Sequence, residues 1–380
     1  MRPELATPTG TTAMTPSSLL VDFPFTATDT PSLRARIEAD LRQIVEGVRA
    51  ADPAARAVIL TGGFARGEGS AWGEAPLNDY DLVVVRASPL PRPRLYAKLT
   101  HRLEEKLGLH VDLLPVWQGR LARVEPKIFW YETRGWGRVL WGPPDLLITA
   151  LPPMRAEELP LEEGVRLLYN RAAGLLLAYP GPGKPFEPQL TLIQASKACL
   201  AAGEALLVSE GKYNGSLQER LRRLQLLAQE GNGEAQRLLP HVQWATRFKL
   251  APETTAATTD PARAWADARQ ALLGTLVHVL AKAGYRDPED YGARAPAYVT
   301  DAFVYATRSL RAGAWSFHRR PSLAARCLTH RLLLAADPLL ATETVLTEAA
   351  RSAWFGPGTA PTSWPPLKEA YFRLRARTLQ

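Results

Sequence analysis

The sequence is poor in the residues that staple or metallate a small fold. It carries two cysteines, Cys199 and Cys327. Each falls in a helical-looking segment, so a disulfide framework is not expected and a reducing compartment is the natural setting. Six histidines, His101, His110, His241, His278, His318 and His330, are scattered along the chain. None stands at a Cys/His spacing suited to zinc, which sets zinc aside. No stretch reads as apolar over the roughly 18 residues that a membrane span needs, and residues 1–18 lack the apolar core of a signal peptide. A soluble cytoplasmic protein with no membrane partner is expected. No long basic block or basic-aromatic stripe occurs either, which argues against a dedicated nucleic-acid groove.

What is present supports sizeable cores. The chain has 380 residues with 46% hydrophobic content, enough for more than one compact unit, and two domains are expected. The formal net charge is +8, from 46 Lys and Arg against 38 Asp and Glu, which favours anionic ligands such as nucleotides and permits nucleic acid. Residues 1–30, rich in Thr, Pro and Ser, read as a flexible arm or a strap. Ser32 then reads as a helix cap, because Leu33, Ile37, Leu41, Ile44 and Val48 recur at helical spacing up to a stop at Ala51-Asp52-Pro53.

The most informative stretch is residues 57–85, AVILTGGFARGEGSAWGEAPLNDYDLVVV. An apolar strand ends in Gly62-Gly63, and a second strand opens with Asp79 and Asp81. Side chains alternate along a strand, so both aspartates project to one side and Tyr80 to the other. Two carboxylates on one face repel unless a cation lies between them. After a Pro-rich connection and a crossover helix over 95–107, the run 110–116, HVDLLPV, sets Asp112 in a third, otherwise apolar strand. Three aspartates at strand positions suggest a divalent-metal site.

This order of glycine turn, acidic pair and third carboxylate resembles the nucleotidyltransferase superfamily of DNA polymerase β, on the motifs Gly62-Gly63, Asp79-Tyr80-Asp81 and Asp112 over residues 35–145. The resemblance implies that Asp79, Asp81 and Asp112 are catalytic and hold two Mg²⁺ ions, about 3.5–4 Å apart, against an NTP. It implies that Gly62, Gly63 and Arg66 bind the triphosphate, and that Asp112 is the best-placed acceptor for the hydroxyl proton. In some aminoglycoside-modifying relatives a bundle glutamate is the base; none aligns here, and the base assignment stays open. Arg66 has an alternative reading as an ion-pair partner of Glu68 or Glu74. Glu68 and Asn78 stay outside the catalytic set. Lys197, on a long helix, reaches the triphosphate by analogy, or lays its stem along apolar surface with its head in water.

Beyond the third strand, residues 127–147 mix aromatics with Gly135, Gly137 and Gly142, which predicts short strands or a hairpin rather than one helix. Trp and Tyr here could stack on a base, although core packing is their commoner role. From residue 158 the chain turns alanine- and leucine-rich, with helices expected over 162–178, 190–210, 217–230, 261–283, 298–312, 322–336 and 342–354. The segment 181–185 contains Gly-Lys, but Pro185 stands where a P-loop needs Ser or Thr, so it reads as a linker. Asn170, Arg171 and Tyr213 are polar positions that could face a cleft. Arg311 and His318 match an Arg-x₆-His spacing found in some helical ribonucleases partnered with small nucleotidyltransferases, a match that chance accounts for in so arginine-rich a chain.

The expected fold class is α+β: a nucleotidyltransferase fold over 31–150, a small mixed sheet flanked by helices, followed by an all-α helical bundle over 158–380 that a break near 255 would divide in two. The expected activity is Mg-dependent transfer of an NMP from an NTP to a hydroxyl of a small-molecule acceptor, with release of pyrophosphate. The alternatives are transfer to tRNA or protein, as in toxin-antitoxin-associated relatives, and a non-catalytic nucleotide-binding interaction module.

Overall fold

The first helix forms where the apolar spacing asks for it, but one turn-forming residue differs. In the computed structural model, which describes residues 24–77, 79–295, 321–336 and 363–378, α1 spans Pro31–Ala51. Its cap is Thr30, whose hydroxyl accepts the Leu33 N–H, because Pro31 fits the first helical position where a missing N–H is harmless. Ser32 instead donates to Glu74, 2.5 Å away.

Strand β1, Ala55–Leu60, ends at the glycine turn, which opens the single-turn helix α2, Gly62–Ala65. A short ribbon follows, β2 (Ala71–Trp72) against β3 (Ala75–Pro76). The acidic strand β4 is Tyr80–Arg86, the crossover helix α3 is Pro93–Leu107, and β5 is Val111–Trp117. Next come α4 (Gln118–Leu121), α5 (Ile128–Trp136), β6 (Arg138–Trp141) and α6 (Leu146–Ala150). The sheet order is β5-β4-β1-β6. Only β4 and β5 pair in parallel within this sheet, since only they are joined by a helix long enough to cross over.

One face of the sheet is covered by α1 and α3, with Ile37, Leu41, Ile44, Leu99 and Leu103 packed on Val58, Leu60, Tyr80, Leu82 and Val84. Phe25 joins this core, fully buried, and its carbonyl accepts the Gly69 N–H. The far end of β4 is tied down by a buried ion pair: Arg86 Nε donates to Asp52 at 2.6 Å, and the Tyr96 hydroxyl donates to the same carboxylate at 2.8 Å. Burial alone would push the Asp52 carboxyl up, but the hydrogen bonds from Arg86, Tyr96 and the Ala54 N–H outweigh it and hold the group below the ordinary carboxylate range.

The chain divides into two compact units, the first reaching residue 124 and resuming over 136–152, the second formed by 125–135 and the chain from 153 onward. The expectation of strands near 127–136 is corrected by α5, which is helical. The aromatic-rich sequence favours strand locally, but tertiary contacts override it. Ile128 donates its N–H to Glu163, Tyr131 packs edge-on to Tyr213, and the Tyr213 hydroxyl donates to Glu132 at 2.6 Å. Tyr213 is therefore a fully buried core residue.

The second unit is helical: α7 (Leu161–Ala178), α8 (Pro188–Ser209), α9 (Leu217–Gln229), α10 (Gly233–Leu250), α11 (Pro252–Ala256), α12 (Pro261–Lys282) and α13 (Pro288–Arg294), with further helices Pro321–Ala335 and Trp364–Thr378. Helix α8 is its axis, packed by α7, α10 and α12. By length and composition α8 would suit a membrane span, which corrects the expectation that no stretch does; its apolar window is mostly buried against the other helices. Helix α10 went unexpected because Pro240 lies inside it, a residue that removes one backbone bond and normally marks a helix end. The helices expected over 298–312 and 342–354, together with Asn78, Arg311 and His318, lie outside the described residues.

Candidate active site

The parallel ladder decides how the acidic residues meet. Asp81 of β4 is the register partner of Asp112 of β5, and directly paired residues on adjacent strands project to the same face. Their neighbours Tyr80 and Val111 are also partners and point the other way, fully buried in the layer covered by α1 and α3. Asp79 stands just ahead of β4 and is exposed, as is Asp112, while Asp81 is half-buried.

The glycine turn is in direct contact with Asp81. The Thr61 N–H and hydroxyl both donate to the Asp81 carbonyl, at 2.8 and 3.1 Å. Gly62 adopts φ +69, and a β-carbon built on it would lie 2.4 Å from Asp81 Oδ2. Only glycine fits, for reasons of both backbone and space. Gly62→Ala should lower stability by about 1–2 kcal/mol and displace the Asp81 carboxylate. Chemical denaturation and turnover of that variant check both effects, and unchanged turnover would show that the close approach is not needed.

Gly63 is the second residue of α2, and its carbonyl accepts the N–H groups of Arg66 and Glu68. Arg66 follows α2, which stops at Ala65, with Gly67 at φ +74 behind it. Arg66 Nε donates to Glu68 Oε2 at 3.1 Å, with both side chains largely buried. Lys197 lies in the other unit, half-buried on α8. Sequence reasoning missed Arg138. It pairs in register with Leu60 at the end of β1, and its Nε donates to the Ala65 carbonyl at 3.0 Å, which places a cation at the end of α2; burial pushes its pKa down. The signal was the Arg that opens the strand after Gly137, but using it required knowing that this strand borders β1.

No family model matches the chain, and no curated protein matches it. Among solved structures, it is similar to a toxin-antitoxin with AMP-PNP, at 20% identity over 28% of this chain and 77% of that one, with a TM-score of 0.23. It is also similar to a tri-AMPylated Shewanella oneidensis HEPN toxin in complex with MNT antitoxin, at 18% identity over 30% of this chain and 83% of that one, with a TM-score of 0.21.

The donor set is all oxygen, which suits a hard divalent cation. Among the described residues no three His, Cys, Asp or Glu side chains are gathered into a ready-made metal cage. That is compatible with magnesium, which keeps several waters and binds through one or two carboxylates plus substrate phosphates rather than inside an all-protein shell. Asp81 and Asp112, side by side on one face, are the residues that fit it, with Asp79 one strand alternation away.

Proposed function

We propose that the first unit is a magnesium-dependent nucleotidyltransferase that moves an NMP from an NTP to an acceptor hydroxyl. The observation that carries this reading is the in-register pair Asp81 and Asp112, with Asp81 set against the Gly62 backbone. Magnesium held by Asp79, Asp81 and Asp112 would supply charge neutralisation for the phosphates and a lower pKa for the attacking hydroxyl.

The chain's own residues account for the remaining steps. Gly62 and Gly63, lacking side chains, let the triphosphate approach the backbone, and Arg66, beside Glu68, brings a guanidinium charge to it. The acceptor oxygen attacks the α-phosphorus in line; the new O–P bond forms as the bond from the α-phosphorus to the bridging oxygen breaks, and pyrophosphate leaves. Asp112, exposed at the start of β5, accepts the hydroxyl proton.

The acceptor is read as a small hydroxyl compound. The net charge of +8 favours a second acceptor class, the end of a tRNA. Incubating the full chain with each α-labelled NTP, Mg²⁺ and separate pools of metabolites, RNA and protein tests both. Label in the metabolite pool supports the first reading, and label in RNA or protein replaces the acceptor while keeping the reaction. No label and no pyrophosphate in any pool would leave a nucleotide-binding module without chemistry.

A further inference from the structure

Tyr80 opens the acidic strand between the two aspartates, and its side chain goes to the face opposite that of Asp81. It is fully buried. Its hydroxyl donates to Asp40 Oδ2 of α1 at 2.9 Å, and its ring packs on Phe64 of α2, centroids 5.2 Å apart. Its backbone N–H donates to the His110 carbonyl at 2.9 Å, just ahead of β5. One side chain and its peptide therefore join four parts of the first unit: α1, the glycine-turn helix, β4 and the approach to β5. Phe64 is itself wedged, since a β-carbon on Gly69 would lie 2.3 Å from its ring.

These contacts fix the one rotation that matters for the carboxylates. Side chains on a strand alternate, so whatever pins Tyr80 to one face sets the direction of Asp81, the next residue of β4, on the other. Shape alone holds a ring in a core; a directed hydrogen bond to a buried carboxylate sets its angle as well. Asp40 is buried, and an acceptor kept out of water stays there only because it is partnered.

Resting on the metal-site reading above, we propose that Tyr80 is a positioning residue, anchored by Asp40, that sets the direction in which its strand neighbour Asp81 would present its carboxylate to the cation. Outer-shell partners of metal ligands typically change affinity by about 10–100-fold when removed.

The test is Mn²⁺ binding to the full chain, read by the loss of the free-ion EPR signal in the presence of a non-hydrolysable NTP analogue, with thermal melting measured alongside. Tyr80→Phe, which removes only the hydroxyl, is expected to weaken Mn²⁺ by about tenfold while keeping a cooperative melt. Asp40→Ala approaches the same bond from the other end and is expected to weaken Mn²⁺ likewise, so the test survives if Tyr80→Phe does not fold. Asp40→Asn keeps an oxygen acceptor and should restore wild-type affinity. A Tyr80→Phe protein that melts earlier yet binds Mn²⁺ as the wild type does would overturn the proposal and leave the metal site standing. Wild-type protein that binds no Mn²⁺ would overturn both.

Discussion

Asp81→Asn should yield a protein that melts as the wild type does and transfers nucleotide about three orders of magnitude more slowly, or not at all. The substitution keeps the side chain's shape, and the two hydrogen bonds from Thr61 go to the Asp81 backbone carbonyl, so the turn survives. What is lost is charge. Asp81 and Asp112 are register partners, and two neighbouring carboxylates repel when no cation separates them. Removing one charge relieves that repulsion in the metal-free protein. Pyrophosphate release and thermal melting, measured on the same preparation, separate the two consequences. Persisting release would remove Asp81 from the chemistry.

Arg86→Ala should destabilise the first unit by about 3–5 kcal/mol, because it leaves a buried carboxylate without its main partner. The Arg86 and Asp52 side chains are only 5% and 0% exposed. Arg86 also donates to the Ser88 and Leu90 carbonyls, at 3.2 and 2.6 Å, so the loop after β4 loosens as well. A fall in melting temperature of about 10 °C is expected. The same pair gives a pH dependence whose sign follows from the direction of the shift. Asp52 has its pKa lowered in the folded state, so its stabilisation is fully present above the unfolded carboxylate value of about 3.9. It is lost as pH falls through the lower folded value. Wild-type melting temperature should drop below about pH 4, and Asp52→Asn should flatten that part of the curve. Wild-type and variant curves that fall in parallel would assign the acid sensitivity to other groups.

Much of the first unit was legible because its patterns are local. The spacing of Leu33, Ile37, Leu41, Ile44 and Val48 belongs to one helix face, and the crossover helix and three apolar strands carry equally plain periodicities. Within β4, alternation alone separated Asp81 from Tyr80. The pairing of Asp81 with Asp112 was not legible in the same way, since register is a property of two strands and depends on how α3 returns the chain. Arg138 was missed for the same reason: its place beside the glycine turn follows from β6 pairing with β1.

The other misreadings have distinct causes. In α5 the aromatic run obeys its contacts with Tyr213 and Glu163 rather than its strand propensity. In α10 a proline sits inside a helix that packing on α8 and α9 holds together. At Arg66 the chain has already left the single-turn helix α2, and its guanidinium donates to Glu68, the alternative partner that the sequence offered. The anchoring of Tyr80 by Asp40 spans forty positions, and nothing in either local sequence announces it.

In the proposed reaction the carboxylates of Asp81 and Asp112 would share a divalent ion, with Asp81 beside the Gly62 backbone. Crystals grown with Mn²⁺ and a non-hydrolysable NTP, measured at a wavelength where manganese scatters anomalously, test it directly. A peak within about 2.5 Å of oxygens from both aspartates, with the triphosphate over Gly62 and Gly63, is the predicted result. Manganese and nucleotide bound elsewhere, with both carboxylates left in water, would contradict it.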